Sequence, residues 1–295
     1  MTAESSCNTC NSNTCSAKEK GANENDAEFQ ARQALAARLC RIKHKIVVLS
    51  GKGGVGKSTA SVNLAAGLAA EGKRVGLLDI DIHGPSIPKL LKIEKAQVQN
   101  SDDGLMPVRV GDNLFVMSIG LLMGGSSDAI IWRGPMKHNA IQQFLRDVEW
   151  GDLDYMIVDC PPGTGDEPMS VVQLIGDVDS AVVVTTPQEL AIVDVRRSIM
   201  FCHRLELPIL GVLENMSGFI CPHCNERVDI FGSGGGKALA SEMHVDFLGA
   251  VPMDLEVVKS GEEGRPVVLG APEAESAQAF MRVVKRILDT DEKKP

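Results

Sequence analysis

Along most of the chain, short apolar runs rich in β-branched residues alternate with segments whose apolar positions recur at helical spacing. The first run is Lys45-Ile46-Val47-Val48-Leu49-Ser50, and others follow at 74–79, 113–118, 155–159, 181–186, 209–213 and 247–251. Several are apolar on both faces. Strands of that kind are buried on both sides, so the pattern predicts an α/β fold: a mainly parallel sheet flanked by helices on both faces, with ligand chemistry at the carboxyl ends of the strands. Ahead of the first run, Phe29, Leu35, Leu39 and Ile42 make a loose apolar stripe, which predicts a helix entered from Asp26 as N-cap. Residues 1–25 are rich in Asn, Ser, Thr and Glu with almost no apolar content, so they read as a disordered tail. The expected organisation is that tail, 1–25, and one domain, 26–295.

Composition narrows the function classes. With 295 residues, 44% hydrophobic and 4% aromatic, the chain can bury one substantial core without a second globular domain. A formal net charge of -9 with no basic cluster argues against nucleic acid as partner. No apolar stretch approaches the length that spans a bilayer and the first residues carry no signal-peptide core, so the expectation is a cytoplasmic protein without a membrane partner. Eight cysteines in such a chain suit metal or redox chemistry better than a disulfide framework.

The chemistry begins directly after the first strand. Gly51-Lys52-Gly53-Gly54-Val55-Gly56-Lys57-Ser58-Thr59 stands between a strand and a helix, the setting of a phosphate-binding loop. Glycines let consecutive N–H groups point at phosphate oxygens, the helix N-terminus adds its positive end, Lys57 neutralises the β- and γ-phosphates, and Ser58 is placed to hold Mg²⁺. Lys52 is the residue ordinary loops lack. It fits contact with nucleotide across a dimer interface, as an arginine finger acts in trans, or a solvated lysine at the loop edge.

Two further strand ends carry carboxylates. Asp79-Ile80-Asp81-Ile82-His83-Gly84-Pro85-Ser86 places Asp81 to orient an attacking water, with Asp79 in the outer shell of Mg²⁺ or capping the strand end. Tyr155-Met156-Ile157-Val158 runs into Asp159-Cys160-Pro161-Pro162-Gly163-Thr164-Gly165-Asp166, where Asp159 would support Mg²⁺ through water and the Pro-Pro-Gly segment would sense the γ-phosphate. Cys160 reads as a buried packing residue. Asn215, after the strand at 209–213, is positioned to read a nucleobase edge, with Pro252 as its packing partner.

Cys221-Pro222-His223-Cys224 follows in a loop. Two thiolates can grip one metal centre, yet a closed zinc or iron–sulfur site takes about four ligands, so a second copy of the chain would supply the other half. Structural zinc is the competing occupant. Gly232-Ser233-Gly234-Gly235-Gly236-Lys237 is like a second phosphate loop, but Ala238 stands where Ser or Thr would bind Mg²⁺, so the expectation is a flexible lead-in to a helix.

These residues resemble the Mrp/ApbC-type P-loop ATPases, iron–sulfur cluster carriers within the MinD/ParA-like superfamily that also includes the nitrogenase iron protein. The doubled-lysine loop is common to the superfamily. The narrower likeness lies in the segment from Asp79 to Ser86, Ile131-Trp132-Arg133-Gly134-Pro135, the segment from Asp159 to Asp166, and the Cys221/Cys224 pair. The resemblance implies a homodimer that binds ATP at Gly51 to Thr59, holds a [4Fe-4S] cluster on Cys221 and Cys224 of both subunits, and delivers it to apoproteins, with slow regulatory hydrolysis. Cys7, Cys10 and Cys15 resemble the cysteine-rich extension of a eukaryotic scaffold branch, with one cysteine too few for a closed cluster; the fourth ligand is Cys40, a residue of the other subunit, or none, in which case the segment is a thiol-bearing disordered tail. Two alternatives stay open: a MinD- or ParA-like positioning switch, for which Phe280, Met281, Val284, Ile287 and Leu288 would be a membrane face, and an electron donor like the nitrogenase iron protein.

Overall fold

The computed structural model describes residues 19–20, 24–82, 84–102, 104–122, 134–221, 223–224 and 226–291. The expectations for residues 1–18 with Cys7, Cys10 and Cys15, for His83, and for Ile131-Trp132-Arg133 lie outside the described residues.

The chain enters through α1 (Asp26–Leu39), β1 (Ile42–Ser50), α2 (Lys57–Ala70) and β2 (Val75–Asp79). A short α3 (Ile87–Leu90), the small ribbon β3 (Gln99–Ser101) and β4 (Gly104–Met106), β5 (Val108–Val110), β6 (Leu114–Ser118) and α4 (Ile119–Leu122) follow. Then come α5 (Gly134–Asp147), β7 (Leu153–Asp159), α6 (Asp166–Ile175), β8 (Ser180–Thr185), α7 (Glu189–Arg204) and β9 (Ile209–Glu214). A second ribbon, β10 (Phe219–Ile220) with β11 (Arg227–Val228), precedes α8 (Gly235–Glu242), β12 (Phe247–Ala250), α9 (Leu255–Glu263), α10 (Val267–Gly270) and α11 (Glu275–Asp291).

Eight strands form one sheet in the order β12-β9-β8-β1-β7-β2-β6-β5, parallel throughout except for β5 at the edge. The predicted α/β architecture is therefore the observed one. β1 lies in the middle, and its alternate residues feed two layers: Ile46 and Val48 pack with α2 and α11, while Val47 and Leu49 pack with α1, α5 and α6. Because β1 sits between β7 and β8 while β2 pairs on the far side of β7, the chain reverses direction of winding at β1. A crevice opens there beyond the strand carboxyl ends, which is where doubly wound sheets bind ligands.

The structure shifts some sequence expectations. The N-cap of α1 is Asn25: its Oδ1 accepts from the Glu28 N–H at 2.9 Å, and its own N–H donates to Glu28 Oε2 at 3.1 Å. That reciprocal pair satisfies two helix-end groups at once, so Asp26 becomes the first helical residue. Ile42 belongs to β1 and not to the helical stripe. β1 starts early because Lys43 pairs with Asp154 at 2.7 Å and the buried Lys45 reaches Asp177 at 3.2 Å, which lets charged residues occupy strand positions. The C-terminal helix α11 turns Ala277, Phe280, Val283, Val284 and Ile287 into the core, with Met281 and Leu288 packed at its margin. The face that a membrane helix would expose is thus used in packing. Among the described residues no helix is long and apolar enough to cross a membrane.

Candidate functional site

The phosphate loop is shaped by glycine where only glycine serves. Gly54 and Gly56 both take φ of 82°, the left-handed region that costs other residues energy. A Cβ at Gly51 would overlap the backbone of Asp194 in α7, so the loop is also seated against that helix. Gly56 is the N-cap of α2 and offers no side-chain cap. The first N–H groups of α2 are therefore left for a ligand, the arrangement that suits an anion. Lys52, Gly53, Gly54, Gly56, Lys57, Ser58 and Thr59 line a cleft of about 290 Å³ together with Asp81 and Pro162. Lys52 is half-buried, and its carbonyl accepts from the Ser50 hydroxyl at 3.0 Å.

Asp159, at the end of β7, is the electrostatic centre. It is fully buried and paired with Lys57 at 2.8 Å, and it accepts from the hydroxyls of Ser58 and Ser61, each at 2.6 Å. A buried carboxylate persists as an ion only with such compensation. Asp79, the neighbouring strand end, is also fully buried and is held by the Ser118 hydroxyl at 2.8 Å and the Asp81 N–H at 3.1 Å. Burial first, and the charge of Asp159 second, push its carboxyl up to about 7 against those hydrogen bonds. Asp81 reaches the cleft, with its Oδ1 accepting from the Gly84 N–H at 3.2 Å. The hydroxyl of Ser58 and the Asp159 carboxylate form the hard oxygen set that Mg²⁺ selects.

Asn215 approaches the same loop from β9. Its amide Nδ2 donates to the Val55 carbonyl at 2.9 Å, and a Cβ on Gly56 would overlap that nitrogen. Pro252 lies farther along this edge, lining a separate apolar hollow of about 320 Å³ with Phe219, Met253 and Leu255. Cys160 is buried, and burial pushes its thiol well up; Cys202 in α7 is pushed up to about 12 by the same cause.

The cysteine pair stands at the tip of the β10/β11 ribbon, which the Cys221 N–H closes by donating to the Glu226 carbonyl at 2.9 Å. Cys224 is exposed and Cys221 half-buried. Hydrogen bonds from the His223 backbone, then the Cys224 backbone, then the Cys224 side chain hold the Cys221 thiol below its ordinary range, favouring the thiolate that metals require. Among the described residues no group of three or more His, Cys, Asp or Glu gathers to hold a metal ion. The pair presents two thiol donors.

One residue escaped the sequence reading. Glu214, buried at the end of β9, accepts from the N–H groups of Gly234 at 2.9 Å and Gly236 at 2.6 Å and from the Ser217 hydroxyl at 2.6 Å. The second glycine loop is thus pinned by an internal carboxylate and is no flexible lead-in. An acidic strand end ahead of a glycine-rich helix start was the available signal.

Comparison with known proteins identifies the family of the chain. A family model described as ParA: NUBPL iron-transfer P-loop NTPase matches residues 41–288. The chain is 48% identical over 289 residues to an iron-sulfur cluster carrier protein of Methanocaldococcus jannaschii, covering 98% of this chain and 97% of the relative. A carrier of the same name from Methanococcus maripaludis is 42% identical over 284 residues, 96% of each. Among solved structures, a nucleotide-binding protein from Archaeoglobus fulgidus in complex with ADP, with Co found, superposes with a TM-score of 0.73 at 39% identity, over 84% of this chain and 96% of that one. The septum site-determining protein MinD of Pyrococcus horikoshii, complexed with Mg-ADP, shares the fold with a TM-score of 0.62 at 22% identity, over 86% of this chain and 100% of that one. The chain belongs to the iron-transfer P-loop NTPase family.

Proposed function

We propose that this iron-transfer P-loop NTPase binds ATP at Gly51 to Thr59, holds a [4Fe-4S] cluster between the Cys221/Cys224 pairs of two copies of itself, and passes that cluster to apo iron–sulfur proteins. One observation carries the reading: an uncapped phosphate loop and an exposed two-thiol half-site sit on the same chain, joined through Asn215 and the β10/β11 ribbon. A two-fold homodimer completes the four thiolates that a cluster takes. In this reading Lys57 neutralises phosphate charge, Asp81 orients the attacking water, and Lys52 reaches nucleotide bound to the partner. Ser58, with Asp159 acting through water, would hold Mg²⁺, which when bound would draw negative charge from the phosphates. Asn215 and Pro252 form the base side. Hydrolysis is slow and regulatory, the protein acts in the cytoplasm, and Cys7, Cys10 and Cys15 are candidates for a second cluster.

The carrier names of the relatives and the ADP-bound neighbour support the cargo and the nucleotide. Protein loaded anaerobically with iron and sulfide should convert an apo-ferredoxin to its holo form, at a rate that Mg-ATP alters in wild type and not in Lys57→Ala. A cluster that stays bound while electrons pass to the acceptor would instead indicate an electron donor. Strong ATP-dependent sedimentation with liposomes would indicate a positioning switch.

A further inference from the structure

Two glycine-rich helix starts stand at the carboxyl edge of the sheet, and they differ in what answers them. The N-terminus of α2 is left open, whereas that of α8 is filled by Glu214. Residues 214–218 run between the two, from the phosphate loop to the cysteine ribbon, and each is fixed. Asn215 holds the Val55 carbonyl. Met216 takes φ of 56°, a conformation that side chains other than glycine adopt at a cost. The Ser217 hydroxyl is bound to Glu214, its N–H donates to the Val251 carbonyl at 2.9 Å, and its carbonyl accepts from Arg227 Nη2 at 3.2 Å. The Gly218 carbonyl accepts from the Met253 N–H at 2.7 Å, and a Cβ there would lie 2.6 Å from Arg227 Nε. Arg227 opens β11, the far strand of the ribbon that carries Cys221 and Cys224.

The bond at Val55 is the sensitive joint. A peptide group is planar and trans, so the Val55 carbonyl and the Gly56 N–H are opposite ends of one rigid unit. When that N–H turns toward a phosphate oxygen, the carbonyl held by Asn215 must turn with it. A flexible linker would absorb the motion. Residues 214–218 have little freedom to do so, because Glu214, Asn215, Ser217 and Gly218 are tied to the loop, to α8, to the strand end after β12 or to the ribbon, and Met216 between them is held at a positive φ.

We propose that residues 214–218 are a coupling strap in which Asn215 registers the phosphate loop, and the Glu214–Ser217–Arg227 contacts pass its position to the cysteine ribbon, so that nucleotide sets the exposure of Cys221 and Cys224. The proposal rests on the reading that this pair holds the cargo. Ser217 and Arg227 are positioning residues that touch neither phosphate nor metal in this scheme.

The test uses the metal-free full chain, so it does not depend on cluster loading. Alkylation rates of Cys221 and Cys224 with iodoacetamide are measured by peptide mapping, with and without saturating Mg-ATP, while affinity for a fluorescent ATP analogue is titrated in parallel. In wild type, nucleotide should change the rates about 5-fold or more, a typical coupling between sites. Ser217→Ala and Arg227→Gln should each bring the ratio near one with nucleotide affinity retained, and Ser217→Thr, which keeps the hydroxyl, should restore it. Wild-type rates that ignore bound nucleotide would overturn the strap, as would variants that keep the wild-type ratio. If Ser217→Ala fails to fold, Arg227→Gln decides alone, since that side chain is half-exposed on the ribbon. Failure of iron loading at the cysteines, read separately, would overturn the cargo assignment instead.

Discussion

Three glycines of one loop allow the strain in the phosphate site to be separated from its packing. Gly53 has open space around its missing Cβ and no positive φ, Gly54 has open space and φ of 82°, and Gly56 has the same φ with the Asn215 amide in the way. Gly53→Ala should therefore leave stability within about 0.5 kcal/mol, as surface changes usually do. Gly54→Ala meets only the left-handed backbone, about 1–2 kcal/mol. Gly56→Ala meets that strain and must also displace Asn215 from the buried Val55 carbonyl, adding about 1–3 kcal/mol for the lost bond. The expected total at Gly56 is about 2–5 kcal/mol by summing those contributions. Urea unfolding of nucleotide-free protein reads each value from the midpoint at unchanged slope. In the Gly56→Ala background a further Asn215→Ala change should cost less than it does alone, because the two residues compete for one space. Equal losses for Gly54→Ala and Gly56→Ala, or strictly additive effects with Asn215→Ala, would refute the packing described here.

Other consequences follow from the buried charges and thiols. Burial pushes the folded Asp79 carboxyl up to about 7, above the 3.8 of a free carboxylate, so between those values the folded state binds more protons and nucleotide-free protein should lose stability as pH rises. A shift of that size is worth roughly 4 kcal/mol over its full range, of which roughly 3 kcal/mol falls between pH 5 and 8, and comparing urea midpoints of wild type and Asp79→Asn across that window should show the loss in wild type and not in the variant. Cys160 and Cys202, buried with raised thiols, should resist alkylation in the folded chain while Cys221 and Cys224 react; mass mapping after brief labelling at pH 8 checks the contrast. Lys52→Gln should reduce ATPase activity while sparing nucleotide binding relative to Lys57→Ala, and equal loss of binding would remove the trans-acting role.

Much of the fold was legible because its signals are chemical and local. Seven β-branched runs mark the parallel strands. The glycine loop and the aspartates at the strand ends mark the nucleotide edge, and the structure brings Lys57, Ser58 and Asp159 into one cluster. What escaped was set by pairing across long separations. Lys43 and Lys45 look wrong for a strand until Asp154 and Asp177 are seen to meet them from other segments. The ribbons β3/β4 and β10/β11 are two or three residues per strand with mixed polarity, too short for periodicity to show. Glu214 carries no motif of its own; only the folded position of Gly234 and Gly236 reveals what it binds.

Cluster delivery by this chain requires that Cys221 and Cys224 hold a cluster between two copies of it. Anaerobic reconstitution with iron and sulfide, followed by native mass spectrometry with iron and sulfide analysis, measures this directly. The wild-type chain, and a variant with Cys7, Cys10 and Cys15 all changed to Ala, should each retain a species with one [4Fe-4S] cluster per two chains, absent from Cys221→Ala. Full iron content in Cys221→Ala, or a cluster carried by single chains, would contradict it.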